Sequence, residues 1–135
     1  MSSDEVREFL ATNSRAVLAT RGADGSIQMS PVNAGVDGDG LVIISSREDT
    51  AKVKNLKRDP EAFLTAMNDD FYGPWARVEG TAEILSLPEA MEPLVDYYRR
   101  LAGEHPDWDD YRRAMVRDRR ALIRMTIQRG NVFNR

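Results

Sequence analysis

Hydrophobic and polar positions alternate in six short runs, each bounded by turn residues. The runs at 15–20, 26–36, 41–46, 62–67, 75–85 and 121–127 are predicted strands. Asp24-Gly25 joins the first two as a hairpin, and Asp37-Gly38-Asp39-Gly40 turns the second into the third. Pro31 lies inside the second strand. It has no N–H to give a ladder, so that strand lies at an edge or is bulged there. Gly80 marks a bulge or kink in the fifth strand. The third run, Leu41-Val42-Ile43-Ile44-Ser45-Ser46, opens with four consecutive apolar residues, as a buried strand does.

The pattern changes to a helical period in four places. Val6, Phe9 and Leu10 make an apolar edge over 2–11, with Ser2 and Glu5 at capping-box spacing. Val53 and Leu56 lie three apart in 50–58, with Asp49 as the expected N-cap. Ser86 and Glu89 are a second capping-box pair before the stripe Leu94, Val95, Tyr98, Leu101. Pro93 limits the start of that helix and Gly103 ends it. Pro106 is expected as the first residue of the next helix, which turns Trp108, Tyr111, Met115 and Val116 inward. Antiparallel strands with segregated helices predict an α+β fold: a six-stranded antiparallel split β-barrel with flanking helices. All 135 residues are expected to form a single domain. A barrel this small has little internal room, so a ligand belongs in a groove on its wall or at a dimer seam.

Composition narrows the chemistry. With no cysteine, thiolate metal sites and cysteine nucleophiles are excluded. The net charge of −3 argues against a nucleic-acid binder, and no apolar run is long enough to span a bilayer. No signal-peptide pattern opens the chain, so the expected compartment is the cytoplasm. His105 is the sole histidine and lies between two helices, where a capping or solvent role fits better than a catalytic triad. Asp107, Asp109 and Asp110 suit a helix N-terminus more simply than a metal. The glycines form no dinucleotide or P-loop pattern, and Arg117-Asp118-Arg119-Arg120 reads as a charged helix end. Trp75 and Trp108 read as core residues, although Trp75 opens a strand beside a polar loop.

One segment runs against the acidic background. Thr50-Ala51-Lys52-Val53-Lys54-Asn55-Leu56-Lys57-Arg58 carries four cations and no acid. On a helical wheel Lys52 and Lys57 flank the buried edge, while Lys54, Asn55 and Arg58 face outward. The preceding strand delivers the hydroxyls of Ser45 and Ser46 to the helix start. Cations beside open amide donors suit a phosphate or carboxylate. Anion binding without acid–base machinery fits chemistry supplied by a cofactor.

The chain resembles the split β-barrel flavin and deazaflavin oxidoreductases related to pyridoxamine 5′-phosphate oxidase, and within them an actinobacterial branch that uses coenzyme F420. The resemblance rests on residues 17–20 with Asp24-Gly25, Gln28-Met29-Ser30-Pro31-Val32, residues 51–60, Val78-Glu79-Gly80-Thr81-Ala82, and 102–120, beginning Ala102-Gly103-Glu104-His105-Pro106-Asp107-Trp108. It implies a homodimer with sites at the seam. It implies that Ser45, Thr50, Lys52 and Asn55 hold the cofactor's phosphate and tail, with Ser46, Ala51 and Lys54 also in the cofactor-binding set. Met29, Ser30, Pro31 and Val32, with Trp75, Ala76 and Arg77, are implied to lie along the ring. Relatives often carry arginine where this chain has Thr50, which shifts the attraction onto Lys52 and Lys54. The implied activity is reduction of a planar conjugated small molecule by reduced F420, with Arg77 as one possible proton donor. An FMN enzyme on the same fold and a non-enzymatic cofactor carrier are the alternatives.

Overall fold

The computed structural model describes residues 2–134, and for Ser2 the backbone alone. In chain order the elements are α1 (Ser2–Thr12), β1 (Arg15–Arg21), β2 (Ile27–Val36), β3 (Val42–Arg47), α2 (Ala51–Arg58), β4 (Glu61–Met67), β5 (Trp75–Leu85), α3 (Met91–Ala102), α4 (Trp108–Arg117), β6 (Arg120–Met125) and β7 (Arg129–Phe133). The strands pair in the order β4-β1-β2-β3-β6-β5, and β5 returns to β4, so six antiparallel strands close a barrel. This is the α+β split barrel that the alternation predicts.

The side-chain period explains what fills it. Along β1, Ala16, Leu18 and Thr20 point inward and are buried, while Val17 and Ala19 between them are only half-buried. Val42 and Ile44 of β3, Leu64 and Ala66 of β4, Val78 of β5 and Ile123 and Met125 of β6 complete the interior. Val6 and Leu10 of α1, with Val53 and Leu56 of α2, pack onto the same cluster. Each fully buried Leu or Ile is worth about 1.5–3 kcal/mol relative to exposure. The unbroken apolar run of β3 also has a reason. Ile43 and Leu122 face the outside of the barrel, where Ala90 and Leu94 cover them. That second cluster docks α3 on the wall and builds one side of the groove described below.

Pro31 behaves as expected. It pairs with Val17 of β1, while β2 reaches β3 only from Ala34 onward, so the Pro31 stretch has a free edge.

Several local expectations are corrected. Thr50, not Asp49, caps α2: its Oγ1 accepts the Val53 N–H at 3.4 Å. Asp49 instead meets Arg47 at 3.7 Å and Arg119 at 3.3 Å. The Ser86 and Glu89 box does not form. Residues 86–90 make a turn, with Ala90 N–H bonded to Ser86 O, and α3 begins only at Met91. The delay puts Pro93 third in the helix, where its missing N–H has no intrahelical partner to lose. Pro106 lies before α4 rather than at its first position. Asp107 is the cap, accepting from Asp110 N–H at 3.1 Å, and its own N–H donates to His105 Nδ1 at 2.9 Å. His105, expected in a capping or solvent role, thus braces the cap residue and does not itself cap α4. Val116, expected inward, is exposed in the last turn of α4. The Ser2 and Glu5 box rests on the Ser2 side chain, which lies outside the described residues.

The seventh strand was not expected. It continues β6 along the same edge of β5 past one extra residue: Ala82 faces Met125 and Glu79 faces Arg129, three steps on one strand against four on the other. The bulge therefore lies in 126–128, opposite Gly80, and not in β5 itself.

Candidate functional site

A groove of about 520 Å³ runs along the outer wall where β2, β3, α2, α3, α4 and β6 meet. Its floor is Pro31, Val32 and Asn33 of β2 with Ser45 and Ser46 of β3, and Thr50 and Lys52 enter from the start of α2. Tyr97 and Tyr98 of α3, Tyr111 and Met115 of α4, and Arg120 of β6 form the opposite side. The Ser46 and Thr50 hydroxyls lie 2.9 Å apart, which ties the end of β3 to the helix start.

The groove's electrostatics are uneven. Neighbouring cations have acidic partners: Arg47 and Arg119 share Asp49, and Lys57 meets Glu48. Among the described residues, Lys52 and Arg120 have no carboxylate within salt-bridge distance. Burial, and then the nearby Arg120 charge, hold the Lys52 ammonium below the usual lysine range. A partly desolvated lysine without a counter-ion in a cleft marks a binding-site candidate. The phenols of Tyr97 and Tyr111 add no negative charge. Burial pushes Tyr97 up and Tyr111 up to about 12, and their hydroxyls donate to Asn33 O and Leu94 O, each at 2.8 Å.

Of the residues expected at the site, the groove brings together Pro31, Val32, Ser45, Ser46, Thr50 and Lys52. The rest lie elsewhere. Asn55, expected to face outward, is buried; it donates to Thr20 Oγ1 at 3.1 Å and accepts from Arg58 Nη2 at 2.9 Å. The reason is that position 55 adjoins Leu56 on the face that packs against β1, where Thr20 offers a partner. Ala51 and Lys54 are exposed and do not line the groove. Ser30 Oγ is buried with no hydrogen-bond partner among the described residues.

The expected ring-side residues follow β2 away from the groove. Pro31, Val32 and Asn33 also line a recess of about 380 Å³ with Arg15, Val17 and Met67. Met29 and Arg77 line a further recess of about 250 Å³ with Val17, Ala19 and Phe63. Arg77 pairs with Glu79 at 3.2 Å. Ala76 is fully buried, and Trp75 is stacked on Phe133 with ring centroids 4.5 Å apart.

The sequence reading missed Asn33, Arg47, Tyr97, Tyr98, Tyr111, Met115 and Arg120 as groove residues. Only the pairing of β3 with β6, which sets Arg120 beside Arg47, moves Arg120 from a helix end to the groove.

A sequence model of the family described as pyridoxamine 5'-phosphate oxidase matches residues 2–134. The chain belongs to this family. Members of the pyridoxamine 5'-phosphate oxidase family are generally oxidoreductases on this barrel. Among solved structures, the family member is similar to conserved hypothetical protein Rv2991 from Mycobacterium tuberculosis, at 26% identity and TM-score 0.80, over 99% of this chain and 85% of that one. It is also similar to a protein described as an F420 reductase, at 19% identity and TM-score 0.71, over 93% and 94% of the two chains. A nimC/nimA family protein from Clostridium acetobutylicum shares the fold at 21% identity and TM-score 0.69, over 98% and 87%.

Proposed function

We propose that the protein is an oxidoreductase that binds coenzyme F420 along this groove and reduces a planar conjugated acceptor such as a tetrapyrrole, quinone or enone. The observation that carries the reading is Lys52, without a carboxylate partner among the described residues, beside the Ser45, Ser46 and Thr50 hydroxyls in a groove that shares Pro31, Val32 and Asn33 with the neighbouring recess. Membership of the family and the structural neighbour described as an F420 reductase support it. The donor set fits a phosphorylated, carboxylate-bearing cofactor: hydroxyls and cations at one end, apolar strand surface along the rest. When bound, the reduced deazaflavin supplies the hydride. The chain's own part is to hold the anion at Lys52 and Thr50 and to present Pro31 and Val32 as a flat apolar bed. It also keeps the phenols of Tyr97 and Tyr111 neutral.

FMN is the second reading, favoured by the two cations Lys52 and Arg120, which suit a phosphomonoester dianion. A side-by-side titration separates the two. The purified protein is expected to be colourless and to bind F420 more tightly than FMN. Equal or tighter FMN binding would remove the F420 assignment.

The proposal extends to a homodimer, with each groove completed at the seam. Supporting it, Ile27 and Met29 of β2 and Phe133 of β7 are exposed, and Met29 lines the recess with Val17, Ala19 and Phe63. Light scattering at micromolar concentration is expected to give twice the chain mass. A monomer that still binds cofactor would contradict this.

A further inference from the structure

We propose that Arg120 acts with Lys52 as a two-cation clamp for a doubly charged anionic group, either one phosphoryl dianion or a phosphoryl with a carboxylate beside it. The proposal rests on the reading above that the groove is a ligand site, and it assigns a role to a residue outside the basic helix. Arg120 is built into the wall. It opens β6 in register with Arg47 of β3, directly after a tight turn. Arg119 in that turn has φ 50°, a left-handed conformation uncommon for a residue with a side chain. Its carbonyl accepts Glu48 N–H at 2.8 Å and its guanidinium meets Asp49 at 3.3 Å. The turn is thus held from both sides, which fixes where β6, and Arg120 with it, begins.

Among the described residues, no acid is left over to serve as an internal counter-ion. Asp49 is shared by Arg47 and Arg119, Glu48 is taken by Lys57, and the phenols of Tyr97 and Tyr111 stay protonated. Two like charges therefore face one groove without neutralisation, an arrangement that disfavours the free protein and favours an anion carrying two charges. Arginine adds a planar fork suited to paired oxyanions, which a second lysine would not reproduce.

The test uses inorganic phosphate and dimethyl phosphate as probes on the full chain, at ionic strength balanced with chloride. Melting temperature and isothermal titration are the readouts. Phosphate is expected to raise the melting temperature beyond the chloride control, and the dimethyl phosphate monoanion to do so less. Arg120→Gln is expected to weaken phosphate binding on the order of tenfold. In phosphate-free buffer it should melt at or above the wild-type temperature, because a like-charge repulsion is removed. Arg120→Lys is expected to retain part of the affinity. Wild-type phosphate affinity in Arg120→Gln, a phosphate effect no larger than that of chloride, or an unliganded Arg120→Gln protein that melts well below wild type would each overturn the clamp. Phosphate binding with no binding of F420 or FMN would leave the clamp standing and remove the cofactor reading.

Discussion

Gly80→Ala is expected to lower the melting temperature by roughly 10 °C or to leave the protein insoluble. A Cβ placed on Gly80 would lie 1.8 Å from Thr126 O and 2.8 Å from Thr126 C. Both atoms are backbone, so no rotamer change relieves the clash. Thr126 itself cannot retreat cheaply. Its N–H donates to Thr81 O and the Gln128 N–H donates to Glu79 O, each at 2.9 Å, and these bonds hold the bulge between β6 and β7 against β5. Overpacking at a rigid site costs about 1–3 kcal/mol, here at the upper end, and each kcal/mol is worth a few degrees for a chain of this size. Gly38→Ala is the control, because its added Cβ would meet only Arg100 Nη2 at 3.5 Å, an ordinary contact. Thermal unfolding followed by circular dichroism compares the two. If Gly80→Ala melts within about two degrees of wild type, the bulge is soft and this account of β5 is wrong.

Gly80 also shows what a single chain reveals and what it withholds. The alternation along 15–20 and 62–67 is a one-dimensional property, so those strands and the faces they bury can be read directly. Gly80 signals an irregularity, but the extra residue lies on the partner strand, 46 positions or more away in sequence. Its pairing depends on barrel closure. The same holds for β7, whose Arg129-Gly130-Asn131-Val132-Phe133 alternates weakly and becomes a strand because β5 offers an open edge there.

The candidate site divides in the same way. Ser45, Ser46, Thr50 and Lys52 follow from one strand–helix junction and are local. Tyr97 and Tyr111 come from helices that meet the junction only after α3 docks over Ile43 and Leu122, and Arg120 reaches it through the pairing of β6 with β3. The helix cap was misplaced by one residue for a related reason. Asp49 and Thr50 are both good caps by type, and Asp49 is drawn away by two arginines, one of them 70 positions distant. Asn55 was misjudged because a helical wheel ignores Thr20, the one buried partner that makes an inward amide affordable.

Lys52→Ala is expected to weaken F420 binding on the order of tenfold to a hundredfold with the fold intact. A charge-assisted contact to phosphate is worth roughly 1.5–3 kcal/mol, and each 1.4 kcal/mol is about tenfold in affinity. Lys52 has no carboxylate partner among the described residues, so removing it leaves none of those acids stranded. Lys57→Ala should matter less, since Lys57 is held by Glu48 and does not line the groove. Arg58→Ala should act mainly through Asn55, because Arg58 donates to Asn55 Oδ1 and to Arg21 O at 3.0 Å; a small loss of stability is expected, with little change in affinity. The pH dependence adds an independent signature. Burial and Arg120 lower the Lys52 pKa in the free protein, so the charged form is complete only below that lowered value. A bound anion favours the charged form, so affinity should be full below the free-protein pKa and fall as pH rises through it, earlier than for an ordinary lysine. Lys52→Arg, which stays protonated throughout, should abolish that alkaline decline, and Lys52→Ala should be flat but weak. Isothermal titration of the variants across alkaline pH, with circular dichroism as the fold control, gives both the ranking and the profile. A Lys52→Ala protein that binds like wild type would show that the cations of α2 are only a solvated face and that the anion is held elsewhere.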